Sequence, residues 1–352
     1  MISLPIILIH GFNGAPSNWT GPEDRFPEFL AAHGYDPALI RVFDYGSYEY
    51  EGKLRYNNLG DIREIAHRLD EAGSPDPVVR SAAVDALSRD SIARGGPSKV
   101  TIIAHSSGGI VARYYLTRQV DDWLGTRYRG NVERVIFLGT PHHGVDVEDI
   151  LDPLPSNLLL YRLMIRLHYL FPPEYHEQAQ SLNERFAELR RMTKQTFLPE
   201  QAYAETPAFR QLHPGSELLD DINHSGAMPQ DIEYFNIIGD IRAGVRIQWL
   251  NRELLDQEKS FGDMLVTTES SGSIPNASSQ CFPIKQEHWL QVDIGRRISR
   301  LIQLTDEGEH PIPIHRWLRS LPASREHMLS ILAKAKPTLP PARIPAATRA
   351  RA

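Results

Sequence analysis

The chain carries a single cysteine, Cys281, so it can form no internal disulfide and the fold must rest on its core. That usage suits a reducing compartment. Neither sign of charge dominates: 38 Lys and Arg stand against 44 Asp and Glu, a formal net charge of -6. The basic residues are spread along the chain and make no broad field for phosphates, so nucleic acid is not an expected partner. Long apolar runs are also missing. The longest, over 158–171, is broken by Arg162, Arg166 and His168 and is too short to span a bilayer, which predicts no transmembrane helix. The first ten residues lead directly into an apolar strand pattern, with neither the basic start nor the cleavage site of a secretory leader, so a cytoplasmic location is expected. No unit of roughly 20 to 50 residues recurs, which excludes a solenoid. What remains is the composition of a globular protein: 41% hydrophobic, 23% charged and 9% aromatic over 352 residues. That is enough chain for one large α/β domain with an inserted cap.

Apolar runs and helical spacings alternate along the first half. Leu4 to Ile9, Leu39 to Phe43, Lys99 to His105 and Val132 to Leu138 read as strands buried on both faces. Between them, Pro27 to His33, Asn58 to Ala72, Val78 to Ala93 and Ser107 to Arg118 carry helical signals. This βα rhythm predicts an α/β fold, a mostly parallel central sheet with helices on both faces. The rhythm stops near Asp146, and Leu158 to Leu170 and Glu174 to Met192 read as helices of an inserted cap. Tyr234 to Gly239 and Phe282 to Ile284 read as further strands, and Val292 to Leu304 as a helix. The expected division is an N-terminal part of the core over 1–145, a helical cap over 146–230, and a C-terminal part of the core over 231–304. A helical extension over 305–335 and a disordered tail over 336–352 follow.

Ala104-His105-Ser106-Ser107-Gly108 falls where a strand turns into a helix, with small residues two positions either side of Ser106. A serine on so sharp a corner is exposed for attack, and the small neighbours let strand and helix approach each other. Making Ser107 the nucleophile would place His105 at a position that needs a small residue, so Ser106 is the better candidate. His10-Gly11-Phe12 follows the first strand, where the backbone N–H of Phe12 can meet that of Ser107 to form an oxyanion hole. Serine needs a base, and the base an orienting acid, in the chain order serine, acid, histidine. Asp263, in Phe261-Gly262-Asp263-Met264-Leu265-Val266, and His288 fit that order, with Asp240 as the alternative acid. His142 and His143 are adjacent and would point to opposite faces of an extended strand, so they read as loop-shaping residues rather than metal ligands. His105, whose side chain the corner directs away from the serine hydroxyl, reads as structural or as a support to the catalytic residues, and not as the base.

In these motifs the chain resembles the lipase-like α/β-hydrolases, the family of bacterial triacylglycerol lipases and inositol-deacylase-like serine esterases. The resemblance runs in motif order from Leu4 to Leu304 and includes Gly139-Thr140-Pro141-His142-His143-Gly144. It implies a serine esterase acting through an acyl-enzyme on Ser106, with Asp263 matching the acid of a Gly-Asp-Gly-Val-Val-like segment. Met264 stands where that segment has its second glycine. No metal or organic cofactor is expected. The expected substrate is a lipid or other apolar acyl ester, the leucine-rich helix over 158–170 either lining an acyl pocket or burying the cap. A thioester or amide substrate and a catalytically silent lipid- or protein-binding role are the alternatives. Basic residues of the tail, Lys334 to Arg351, raise the expectation of peripheral contact with anionic lipid.

Overall fold

The computed structural model describes residues 4–45, 47–50, 53–56, 59–70, 83–146, 184, 191, 206–249, 252–294 and 313–334. Strands β1 (Ile6–Ile9), β2 (Ile40–Phe43), β5 (Val100–His105), β6 (Val132–Leu138), β7 (Glu233–Trp249) and β9 (Ser279–Ile294) form one sheet in the order β2-β1-β5-β6-β7-β9. Every neighbouring pair along that path is parallel. A small hairpin, β3 (Ser47–Tyr50) with β4 (Lys53–Tyr56), stands apart from it.

The apolar runs are continuous because both faces of the sheet are covered. Ile7, Ile9, Ile102, Ala104, Val135 and Phe137 face one core, while Ile6, Leu8, Ile103, Ile136 and Leu138 face the other. The first core is closed by α3 (Ile62–His67), α4 (Val84–Ala93) and α5 (Ser107–Thr117), whose buried residues join it. All eleven residues of α5 are buried, as expected of a helix apolar on most sides and covered by α3. The second core receives α2 (Phe26–Ala32), together with Leu318, Leu321, Met328 and Ile331 from the segment that ends in α9 (Pro322–Ala333). This six-strand parallel order, with a serine corner at the carboxyl end of β5, is the α/β-hydrolase fold.

Two expectations change. The stretch read as a loop and a helix after Ile284 continues as strand β9 to Ile294, so Val292 to Ile294 is extended. The rest of that expected helix, 295–304, lies outside the described residues, as do the cap helices over 158–170 and most of 174–192, and the tail from 335 onward. Strand β7 likewise runs on past Gly239, pairing over Arg242–Trp249 with an antiparallel strand β8 (Arg252–Ser260) that was not foreseen. Together, β8, the distal half of β7 and β9 make a three-stranded arm, with Arg242–Glu258 and Arg246–Asp256 ion pairs across β7 and β8 at 2.6 and 2.8 Å. The described end of the expected cap consists of short helices, α6 (Pro207–Gln211) and α7 (Glu217–Asp220), and a π-turn over Asp221–Ser225. Buried Arg113 of α5 ties that turn to the loop after β6, donating to Asn223 Oδ1 at 2.8 Å and to His142 O at 3.2 Å. Among the described residues no helix is long and apolar enough to cross a membrane.

Candidate active site

Ser106 sits at φ 57 and ψ -133, a backbone conformation that L-residues avoid, between the last residue of β5 and the first of α5. Such strain persists only where the surroundings over-determine it. Here Ser106 N–H donates to Leu138 O at 2.9 Å on the neighbouring strand. Gly108 lets the helix start approach β1, since a Cβ there would fall 2.4 Å from His10 O. Ala104 is fully buried, so the small flanks of the corner serve close packing. The oxyanion-loop candidate lies against this corner: a Cβ on Gly11 would stand 2.6 Å from Ser106 Cβ and 3.2 Å from its Oγ. That loop is held from behind by Tyr45, whose hydroxyl donates to His10 O, and in front Phe12 packs on Phe209 of α6 with ring centroids 6.0 Å apart. Ser107 occupies the first helical position, where a backbone N–H has no partner within the helix.

Asp263 lies in the tight loop after β8 and is 1% exposed. Its Oδ1 accepts the backbone N–H groups of Leu265 at 3.1 Å and Val266 at 2.7 Å. Its Oδ2 receives the ring Nδ1 of His315 at 2.6 Å, and His315 N–H donates to Asp263 O at 2.9 Å. His315 is itself 1% exposed. The pair stands beside the serine corner, because Gly139, which follows the Leu138 paired with His105, has room for neither: a Cβ there would lie 2.8 Å from Asp263 Oδ2 and 3.0 Å from His315 Nδ1.

The histidine expected beside Asp263 was His288, and the structure corrects this. His288 lies on β9 opposite Ala243, four positions beyond the Ile284 that pairs with Gly239 at the level of Asp263. At strand rise that is about 13 Å further out along the arm. A strand ending at Ile284 would leave His288 in a loop, but β9 continues to Ile294. The period-two run Leu290, Val292, Ile294 is the local strand signal in this stretch. His315 also satisfies the serine, acid, histidine order, and Pro313-Ile314 before it is an extended lead into a short turn, which was the available clue.

Asp240, the alternative acid, is engaged elsewhere: Arg242 Nε donates to its Oδ2 and Ser260 Oγ to its Oδ1, both at 2.7 Å. Met264 takes the left-handed conformation, φ 71, that a glycine at this place in the segment would hold without strain. His142 is fully buried, with its Nε2 at 3.0 Å from Asn236 Oδ1, and burial holds it well below the usual histidine range. Among the described residues no group of three or more His, Cys, Asp or Glu could hold a metal ion. A cavity of about 450 Å³ opens beside the loop, lined in part by Phe12, Asn13, Asn18, His105, Arg316 and Trp317.

No curated protein matches the chain. Among solved structures it is similar to the mature lipase BlEst2 of Bacillus licheniformis, at 16% identity and a TM-score of 0.39 over 80% of this chain and 84% of that one. It is also similar to lipase 1 of Pelosinus fermentans, at 14% identity and 0.40 over 81% and 92%, and to EstA of Clostridium botulinum, at 13% and 0.40 over 92% and 88%. Likeness this distant carries no argument about chemistry. The family described as "Domain of unknown function (DUF7379)" matches residues 81–294, more than half of the chain, which therefore belongs to that family.

Proposed function

We propose that the chain is a serine hydrolase of carboxylic esters, with Ser106 as nucleophile, His315 as base and Asp263 as the acid that orients it. The observation carrying this reading is the buried 2.6 Å contact between Asp263 and His315 beside a serine held in a strained strand-to-helix corner. A serine hydroxyl is almost wholly protonated at neutral pH, so its attack on an ester carbonyl needs a base to take the proton. With Nδ1–H donated to Asp263, the His315 Nε2 is the nitrogen left to accept that proton and later return it to the departing alcohol. Asp263 stays in place because its other oxygen is held by two backbone N–H groups, and its charge favours the imidazolium that forms. The tetrahedral oxyanion is received by the backbone N–H groups of Phe12 and Ser107, each such donor contributing about 3 kcal/mol to the transition state in comparable sites. Water then attacks the acyl-enzyme by the same proton path. We read the acyl part of the substrate as apolar.

Labelling with a fluorophosphonate and hydrolysis of p-nitrophenyl esters of increasing acyl length test the assignment. The expected result is labelling of the wild type and of Ser107→Ala but not of Ser106→Ala. A loss on the order of 10^6 in kcat is expected for His315→Ala, whereas His288→Ala keeps its turnover. An unlabelled wild type would remove the hydrolase reading. Full activity in His315→Ala with loss in His288→Ala would return the base to β9.

A further inference from the structure

His105 stands immediately before Ser106 in the chain, and neither proton transfer nor oxyanion binding uses it. Its environment is nonetheless specific. It is 4% exposed, and its Nε2 lies 2.9 Å from the backbone carbonyl of His315. A carbonyl only accepts, so Nε2 must carry the hydrogen. On the other side of the ring, Arg319 Nη1 lies 3.2 Å from Nδ1, and a guanidinium only donates, so Nδ1 must be the acceptor. Both neighbours therefore demand the same neutral tautomer. Arg319 is in turn held by Asp24 Oδ2 at 3.2 Å and by Asn18 O at 3.1 Å, and both Arg319 and Asp24 are buried. The His105 and His315 rings are 4.8 Å apart.

We infer that His105, held in its Nε2–H tautomer by the buried Arg319–Asp24 pair, is a positioning residue that sets the His315 main chain relative to Ser106. The inference rests on the triad proposed above. His315 is located by Asp263 through its N–H and its ring, but those bonds fix it to the loop after β8. The His105 bond ties the carbonyl of His315 to the residue that precedes the nucleophile, and so couples base and nucleophile directly. Burial and the Arg319 charge together keep His105 far below the usual histidine range, so no proton competes for Nδ1 at neutral pH. A protonated His105 would present a donor to Arg319, and the arrangement would break.

The test compares His105→Leu, His105→Gln, Arg319→Met and the His105→Leu/Arg319→Met double variant in the full chain, with fluorophosphonate labelling and ester kinetics on each. A base displaced by about an ångström costs on the order of 100-fold. His105→Leu is thus expected to lose about that factor in kcat with KM nearly unchanged. His105→Gln, which keeps a donor toward the carbonyl, recovers most of it. Because Arg319 acts through His105, the double variant loses no more in kcat than His105→Leu alone. In the wild type, the ring nitrogen shifts of ¹⁵N-labelled histidine place the His105 hydrogen on Nε2 at pH 7.5, a readout that needs no variant to fold. Labelled wild-type enzyme together with wild-type kcat in His105→Leu overturns the proposal, as does a Nδ1–H tautomer. A wild type that is not labelled at all removes the hydrolase reading, and this inference with it.

Discussion

A methyl group at Gly139 would enter the space between Asp263 Oδ2 and His315 Nδ1, at 2.8 and 3.0 Å, with Leu318 Cδ1 also at 2.8 Å. The position in addition holds φ 55, so an alanine there is strained even before it collides. Gly139→Ala is expected to part the acid from the imidazole and abolish ester turnover. Fluorophosphonate labelling at wild-type rate in a folded Gly139→Ala protein would contradict the site as drawn. Met264 is the opposite case. It pays left-handed strain, φ 71, where glycine would not. Relief of about 1 to 2 kcal/mol, less the extra backbone freedom that glycine brings to the unfolded chain, makes Met264→Gly neutral to about 1 kcal/mol stabilising. Urea unfolding measures this, and a loss of stability would show that the Met264 side chain packs usefully. The substitution also accounts for how the segment keeps its shape without its second glycine: the loop is held by Asp263 bonding to Leu265 and Val266, so a single unfavourable φ is tolerated.

At the scale of elements, the C-terminal helix α9 belongs to the core rather than to an appendage. Met328 and Ile331 are fully buried against residues of β1, β5, β6 and α2. Arg134 of β6 fastens its end, donating through Nη2 to Lys334 O at 3.1 Å and to Glu233 of β7 at 2.7 Å. The segment just before α9 carries His315 and Arg319, so docking of this helix delivers the imidazole that meets Asp263. Arg134→Met leaves those acceptors without their donor and is expected to cost about 2 kcal/mol. It should also lower ester turnover without a change in Ser106 itself. Hydrogen exchange over 322–333 should quicken in that variant, and unchanged protection there would break the link between β6 and the helix. In the arm of β7, β8 and β9, Lys285 to His288 carry no alternation of their own and only Leu290, Val292 and Ile294 do, yet the strand runs through all of them and carries His288 away from the site at about 3.3 Å per residue.

For the whole molecule, pH acts through histidines buried in neutral form. His10 is lowered to about 4, first by burial, and His105 and His142 are held well below the usual histidine range by burial as well. In the unfolded chain each binds a proton near pH 6.5, whereas in the folded protein each resists it. Stability is therefore fully present above about pH 6.5 and is lost as pH falls below it, by about 1.5 kcal/mol for His10 between pH 6.5 and 5, with His105 and His142 acting in the same direction. The urea midpoint should drop clearly over that interval, and His142→Gln should shrink the slope. A midpoint independent of pH from 7 to 5 would contradict the burial of these rings in neutral form.

The residue sequence by itself determined the parallel α/β sheet and its serine corner. Both are written in local patterns: apolar runs such as Ile6 to Ile9 that need cover on two faces, and small residues beside Ser106 where strand meets helix. It also singled out Asp263, because a glycine-flanked acid in a polar loop is a local feature. Only the tertiary structure decided which imidazole meets that acid. His288 and His315 both follow Asp263 in the chain, and the choice between them depends on whether β9 stops at Ile284 and on where α9 docks. Both are settled by long-range strand pairing and burial, across Gly239 and Ile284 for the strand and across β6 and α9 for the helix, which no short stretch of residues encodes. The same holds for His105, whose bond to His315 spans residues far apart in the chain and exists only once the two cores have closed on the sheet.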